Sequence, residues 1–137
     1  LVGSEMCIRE DYTHFHKQDE QFVKLVTEYN SDFQTFYQHF LIDQEKYKDY
    51  RGFDLKEIPP NVFDLSCLPW VHYRNFDMHI FDSGTYLAPV ITWGKYSKSP
   101  DGRILMPLSM NIHHAAADGF HLCRFFSDIE YWMTQIT

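Results

Sequence analysis

The stretch NIHHAAADGFH, residues 111–121, carries three imidazoles, His113, His114 and His121, with Asp118 and Gly119 between the second and the third. Neutral imidazole, with an ordinary pKa of about 6.5, accepts a proton from a hydroxyl at neutral pH. His114 and Asp118 stand four residues apart, a spacing that lets the histidine serve as a general base while the carboxylate organises the turn. A hydroxyl activated in this way and aimed at an acyl carbonyl also requires a donor for the oxyanion that forms. A serine on a separate segment, Ser66, is a candidate for it. The same residues are a poorer match to a metal site, which needs three or four converging ligands. Adjacent His113 and His114 diverge on a strand, and neither a nearby cysteine pair nor an HExxH helix accompanies them, so no metal is expected.

Those side chains need a strand and a helix to hold them. Arg103 to His113 alternates, with Leu108, Met110, Ile112 and His114 on one parity and Pro107, Ser109, Asn111 and His113 on the other. That pattern predicts a strand and tends to send the two histidines to opposite sides. After Asp118 and Gly119, the residues Leu122, Phe125, Phe126, Ile129, Trp132, Met133 and Ile136 recur at helical spacing. A strand thus hands over to a helix across the histidine motif, a junction that holds side chains in fixed orientation. Upstream, Leu1 to Glu10 read as the end of a strand and Asp11 to Gln18 as a connection. From about Asp19, the residues Phe22, Leu25, Val26, Tyr29, Phe33, Phe36, Tyr37 and Phe40 predict one amphipathic helix, with Asp19 and Glu20 at its positive end. Asp43 to Tyr50 adds a polar turn or two, and Gly52 with Pro59 and Pro60 enforces an irregular connection. Strands are predicted at about Val62 to Ser66, Arg74 to Phe81 and Val90 to Tyr96, separated by Pro69, by Ser83 and Gly84, and by Pro89. A turn at Ser99, Pro100, Asp101 and Gly102 precedes the fourth strand.

The 137 residues suit one domain, residues 1–137, able to bury roughly two-thirds of the surface its unfolded chain exposes. No apolar run approaches the roughly 20 residues of a membrane helix, so no membrane partner is expected. With 19 acids against 12 basic residues the net charge is -7, which argues against a nucleic-acid partner, because phosphate contacts need a concentrated basic face. Lys95, Lys98 and Arg103 are the local exception. Cys7, Cys67 and Cys123 are odd in number without CxxC spacing, the pattern of reduced thiols, and the expected compartment is the cytoplasm.

The residues also carry a family pattern. PLSMNIHHAAADGFHLCRFF, from Pro107 to Phe126, resembles the closing strand, HHxxxDG motif and final helix of chloramphenicol acetyltransferases. HxxxDG motifs also occur in the acyltransferase domains of 2-oxoacid dehydrogenase complexes and in peptide-synthetase condensation domains, so this motif alone gives the superfamily. YTHFHKQDEQF from Tyr12, LSCLPWVHY from Leu65, NFDMHI from Asn75 and YLAPVITWGKY from Tyr86 match in the family's order along nearly the whole chain, and they specify the family. The resemblance implies an α+β fold, a two-layer α/β sandwich with a mixed β-sheet covered by helices. The chain corresponds to the C-terminal two-thirds of it.

By this likeness His114 is the general base that takes the proton from the primary hydroxyl of chloramphenicol, and His113 flanks it. The hydroxyl attacks the thioester of acetyl-CoA, the co-substrate, directly in a ternary complex. Ser66 matches the serine that stabilises the oxyanion, and Thr92 a threonine that helps through an ordered water. Asp118 resembles an aspartate that pairs with an arginine and supports the local backbone, although a turn or helix-cap aspartate reads the same way. Phe22, Phe53, Phe76, Met78 and Ile80 fall where the family lines its acceptor pocket, and Lys95 and Tyr96 where it meets the nucleotide end of CoA. The family works as a homotrimer with active sites at subunit interfaces, His114 coming from one subunit and much of the acceptor pocket from its neighbour.

Some positions depart from the pattern. The family's opening strand, first helix and part of the acceptor pocket would precede Leu1, and with them the arginine expected to pair with Asp118, which leaves that carboxylate unsatisfied within this chain. Ala116 and Ala117 stand where larger residues are common, Cys67 replaces a small residue, and Met78 replaces leucine. Three functions are therefore carried forward: a chloramphenicol O-acetyltransferase conferring antibiotic resistance, a relative that acetylates another small alcohol, and a non-catalytic fragment of the fold.

Overall fold

Alternation, rather than helical spacing, governs the first third of the chain. In the computed structural model, which describes residues 9–52, 62–79 and 86–135, Arg9–His16 forms strand β1 and Gln21–Glu28 forms β2. In β2 the buried residues are Val23, Leu25 and Thr27, every second position, as in a strand with one covered face. Two expectations are corrected here: the segment from Asp11 read as a connection is strand, and the helix read from about Asp19 begins only at Phe33. Phe22, Leu25, Val26 and Tyr29 satisfy a helical period by coincidence. Val23, Val26 and Thr27 are β-branched residues suited to a pleated surface, and pairing with β1 decides the outcome. The two strands run antiparallel from the pair Arg9 and Glu28 to the pair His16 and Gln21. The turn between them is tight enough to put Glu20 at φ 53.

The helix that does form, α1 at Phe33–Lys46, starts where Asn30, Ser31 and Asp32 mark an N-terminus. Asp32 Oδ2 accepts hydrogen bonds from the Thr35 backbone N–H at 2.8 Å and the Thr35 hydroxyl at 2.6 Å, and these bonds hold its carboxyl below the ordinary carboxylate pKa. Of the polar extension expected over Asp43 to Tyr50, the part up to Lys46 is helix.

Downstream come β3 at Val62–Leu68, β4 at Val90–Gly94, β5 at Ser97–Lys98, β6 at Ile104–Leu105, β7 at Leu108–Asn111 and helix α2 at Gly119–Gln135. The main sheet has the order β2-β1-β3-β4-β7, parallel at its centre and antiparallel at both outer pairs, so it is mixed as expected. β4 stops at Gly94 rather than Tyr96. A Cβ there would lie 2.7 Å from the carbonyl oxygen of Val71, and the glycine N–H donates to the Pro107 carbonyl at 3.0 Å. The strand expected from Arg103 to His113 is divided into β6 and β7, because Pro107 has no N–H to give a ladder. The expected turn at Ser99 to Gly102 lies between β5 and β6, with Gly102 at φ 89 and its N–H donating to Ser99 O at 2.9 Å. Where a strand was expected from Arg74, residues 74–79 join no ladder among the described residues. Side chains fasten that segment instead: the Tyr73 hydroxyl donates to Thr92 O at 2.7 Å and Asn111 Nδ2 donates to Asp77 Oδ1 at 2.8 Å. The rest of that strand, the Pro59–Pro60 connection, the Ser83–Gly84 break and residues 1–8 lie outside the described residues.

Register sorts the strand residues into two faces. Tyr12 pairs with Leu25 and Leu65, and Leu65 pairs with Ile91. On this face Tyr12, Val23 and Leu25 form the buried core, with Phe40 of α1 and Tyr47 and Tyr50 beyond it packed on top. Thr27 donates to Asp43 of α1 at 2.8 Å, tying helix to sheet. The sheet and α1 are thus the two layers of the α+β sandwich. Neither helix fully buries a described side chain, and in α2 Phe120, Tyr131, Trp132 and Met133 are exposed. Cys67 and Cys123 are free thiols, and no described helix is long and apolar enough to cross a membrane.

Candidate functional site

The other face of the sheet carries a group of polar side chains among apolar ones. Ser66 in β3 pairs with Thr92 in β4, which pairs with Ser109 in β7, so three hydroxyls form one row across three strands. Two residues before Ser66, Asp64 lies on the same face, and Lys24, opposite Thr13, approaches it from β2. Thr13, Lys24, Asp64, Ser66, Met78 and Tyr86 contribute to the walls of a cavity of about 280 Å³. Lys24 Nζ stands 3.1 Å from Asp64 Oδ1, and the Tyr86 hydroxyl donates to the second carboxylate oxygen. Both oxygens of Asp64 are therefore engaged within the wall. Next to Ser66, Thr92 is 1% exposed, and its hydroxyl has no hydrogen-bond partner among the described residues. A buried hydroxyl left in that state costs free energy, so it is a natural anchor for a water or a ligand atom.

Aromatic rings border the same face. Phe22 pairs across the strands with Phe15, their rings 4.9 Å apart, and Trp70 closes on Phe15 at 4.8 Å. Phe22 keeps 44% of its surface exposed, as a ligand-facing ring would. Phe76 packs on Tyr73 at 5.5 Å, and Met78 reaches the cavity. Of the five residues expected to line an acceptor pocket, Phe22, Phe76 and Met78 are placed, whereas Phe53 and Ile80 lie outside the described residues.

The histidine motif follows the end of β7. His113 and His114 lie past Asn111, the last strand residue, so strand alternation does not send them to opposite sides as expected. A turn holds them instead: Ala116 N–H donates to His113 O at 2.8 Å, and Ala115 N–H donates to His113 Nδ1 at 3.1 Å. The His113 ring is thereby committed to the turn, while His114 is exposed. Among the described residues no hydrogen bond or ion pair joins His114 to Ser66, Thr92 or Asp118. Asp118 caps α2, its Oδ1 accepting from the N–H of Phe120 at 3.0 Å and of His121 at 3.3 Å, with His121 Nδ1 at 2.7 Å. The His121 backbone N–H, with its imidazole, holds the Asp118 carboxyl below the ordinary range. This corrects the expectation that Asp118 would be left unsatisfied within this chain, because a helix N-terminus supplies the donors. Lys95 and Tyr96 are exposed on the β4–β5 connection. The Lys95 backbone is fixed at both ends, N–H to Val71 O at 2.8 Å and carbonyl to His72 Nδ1 at 3.0 Å.

Thr13, Lys24, Asp64 and Tyr86 were not among the expected site residues. Asp64 is visible in the predicted strand as the residue two before Ser66, but Lys24 was hidden by the helical reading of β2.

The fold is shared with solved acetyltransferase structures. Its structure resembles that of a chloramphenicol acetyltransferase with a TM-score of 0.74 and 24% identity, covering 90% of this chain and 60% of that one. It also resembles the dihydrolipoamide acetyltransferase of Azotobacter vinelandii with a TM-score of 0.60 and 16% identity, covering 89% and 51%. Residues 6–130 match the chloramphenicol acetyltransferase family model, and the chain belongs to that family. Over 120 residues, 87% of its length, it is 41% identical to a chloramphenicol acetyltransferase of Clostridium perfringens, of which it covers 54%. It is 38% identical over the same share to chloramphenicol acetyltransferase 3 of Escherichia coli, of which it covers 56%. The chain therefore spans about half the length of these curated relatives.

Proposed function

We propose that the protein is an O-acetyltransferase that moves an acetyl group from acetyl-CoA to the primary hydroxyl of chloramphenicol, inactivating the antibiotic. The observation that carries this reading is the position of Ser66 in the wall of a cavity, beside the buried hydroxyl of Thr92, which has no hydrogen-bond partner among the described residues, in a chain of this family. His114 takes the proton from the acceptor hydroxyl as its oxygen attacks the thioester carbonyl. The oxyanion of the tetrahedral intermediate accepts a hydrogen bond from Ser66, and Thr92 steadies it through an ordered water. Collapse expels the CoA thiolate, which takes the proton held by His114, so no acetyl-enzyme forms. Asp118 has a supporting role, fixing the turn that presents His114. Lys95 offers a cation to the phosphates of CoA and Tyr96 a ring beside it, on a protein that is otherwise acidic.

The exposed His114 and the exposed apolar side of α2 agree with a homotrimer whose sites form between subunits, each cavity served by a neighbour's His114. The reading treats residues 1–137 as part of one acyltransferase domain acting in the cytoplasm. One observation favours a second acceptor: the ion pair of Lys24 and Asp64 puts charged groups in the cavity wall, which suits a small alcohol more polar than chloramphenicol. Release of CoA thiol by the full-length protein, with chloramphenicol and a panel of small alcohols, tests both readings. Chloramphenicol-dependent release is expected, falling by about 100- to 1000-fold in Ser66→Ala. No acceptor-dependent release from any alcohol would leave a non-catalytic member of the fold.

A further inference from the structure

An ion pair set in a mostly apolar cavity wall is a poor source of stability, because removing both charges from water offsets most of their attraction. Lys24 and Asp64 are nevertheless held there, their side chains 29% and 16% exposed, with Tyr86 bonded to the carboxylate as well. The three groups come from different parts of the chain. Lys24 belongs to β2, Asp64 to β3 two strands away, and Tyr86 to the segment before β4. Asp64 and Ser66 are two residues apart on one strand face, so their Cα atoms are separated by about 6.6 Å. A molecule whose reacting hydroxyl lies at Ser66 therefore meets the pair with a group a few bonds further along its skeleton.

We infer that Lys24 and Asp64 are specificity-determining residues that bind a second neutral polar group of the acceptor, a hydroxyl a few bonds from the hydroxyl that is acetylated. Lys24 Nζ donates to the oxygen of that hydroxyl, and an Asp64 oxygen accepts its O–H as a second hydrogen bond beside the one it already has. An ammonium and a carboxylate side by side favour a neutral group able to do both, and they disfavour a formal charge of either sign. The inference rests on the acceptor entering the cavity beside Ser66, as in the proposed reaction.

The test compares chloramphenicol, which carries a secondary hydroxyl and an amide near its primary hydroxyl, with its analogue lacking the secondary hydroxyl, on the full-length protein. Wild type is expected to prefer chloramphenicol by at least about tenfold in kcat/KM, since a site built for a hydroxyl rejects the analogue that leaves it unpaired. In the double variant Lys24→Met with Asp64→Leu, which removes both charges together, that preference should fall to within about twofold. The KM for acetyl-CoA should stay unchanged, a split that a general loss of structure would not produce. Should that variant fail to fold, the exchanged pair Lys24→Asp with Asp64→Lys keeps opposite charges with donor and acceptor transposed, and the preference is expected to shrink there too. Calorimetric binding of the two compounds without acetyl-CoA reads the same preference without turnover. If wild type binds chloramphenicol preferentially and the variant does not, the inference stands even when no acetylation occurs, and only the reaction assignment fails. A preference retained in a folded variant, or absent from wild type, overturns the inference.

Discussion

Leu65 and Ser66 are neighbours in β3 with different surroundings. Leu65 packs on the core of Tyr12, Val23 and Leu25 and only borders the cavity, while Ser66 shares the cavity wall with Asp64 and Thr13 and is no part of the core. One strand thus supplies the stabilising layer and the candidate chemistry by alternation alone. The apolar face tolerates little change because Tyr12, Val23 and Leu25 are buried in it. The other face spends stability on a threonine hydroxyl with no partner among the described residues and on a half-buried ion pair. The two helices repeat the contrast. Phe40 of α1 packs on the core, whereas α2 follows the Asp118 cap with Phe120, Tyr131 and Trp132 exposed.

The sharpest way to widen the contrast is His114→Ala. Loss of the general base should lower kcat by about 1000-fold while the thermal unfolding midpoint stays put, because this exposed side chain packs on nothing in the core. Unchanged release of CoA thiol would remove His114 from the mechanism. A smaller effect of the opposite kind is expected from Gly94→Ala. The new methyl meets the Val71 carbonyl, Pro107 and Tyr73, and this overpacking should cost about 1–3 kcal/mol in chemical denaturation. A neutral outcome there would mean that β4 and the 69–73 segment are not held as closely as the structure has them.

Acid should produce the smallest effect and touch both faces. The Asp118 carboxyl is lowered by its cap bonds, so its stabilisation is complete above the ordinary carboxylate pKa and is lost as pH falls through the lower folded value. His14 is lowered by burial first, then by His16 and Arg51. Its unfolded form therefore binds a proton before its folded form does, and stability declines as pH drops below the ordinary histidine value. Unfolding followed from pH 8 downward should show two successive losses, the histidine one first. Asp118→Asn should shrink the carboxylate step and leave the histidine step as it was.

The part of the fold written in local chemistry was legible in the sequence. The strand at 62–66, the turn at Gly102 and the handover from strand to helix at Gly119 all appear where alternation, glycine and helical spacing put them. The strand at Gln21–Glu28 was not legible, because Phe22, Leu25, Val26 and Tyr29 fit a helix as well as a strand, and only pairing with β1 separates the two. The same ambiguity concealed half of the candidate site. With β2 read as helix, nothing placed Lys24 beside Asp64, although Ser66 and Thr92 could be named from the family pattern. Strand parity for His113 and His114 failed for a related reason: β7 ends at Asn111, and a turn takes over before the pair.

The division of labour between the faces is tested most directly by a crossed measurement on the full-length protein, kcat and unfolding free energy for Ser66→Ala and Leu25→Ala side by side. Ser66→Ala should lose about 100-fold or more in kcat with its unfolding free energy unchanged within about 0.5 kcal/mol. Leu25→Ala, which empties a fully buried position, should lose about 3 kcal/mol of stability and keep its kcat within a few-fold at a temperature where it remains folded. If Ser66→Ala keeps full turnover, or if its loss of activity is matched by an equal loss of stability, the polar face of this sheet is not where the reaction takes place.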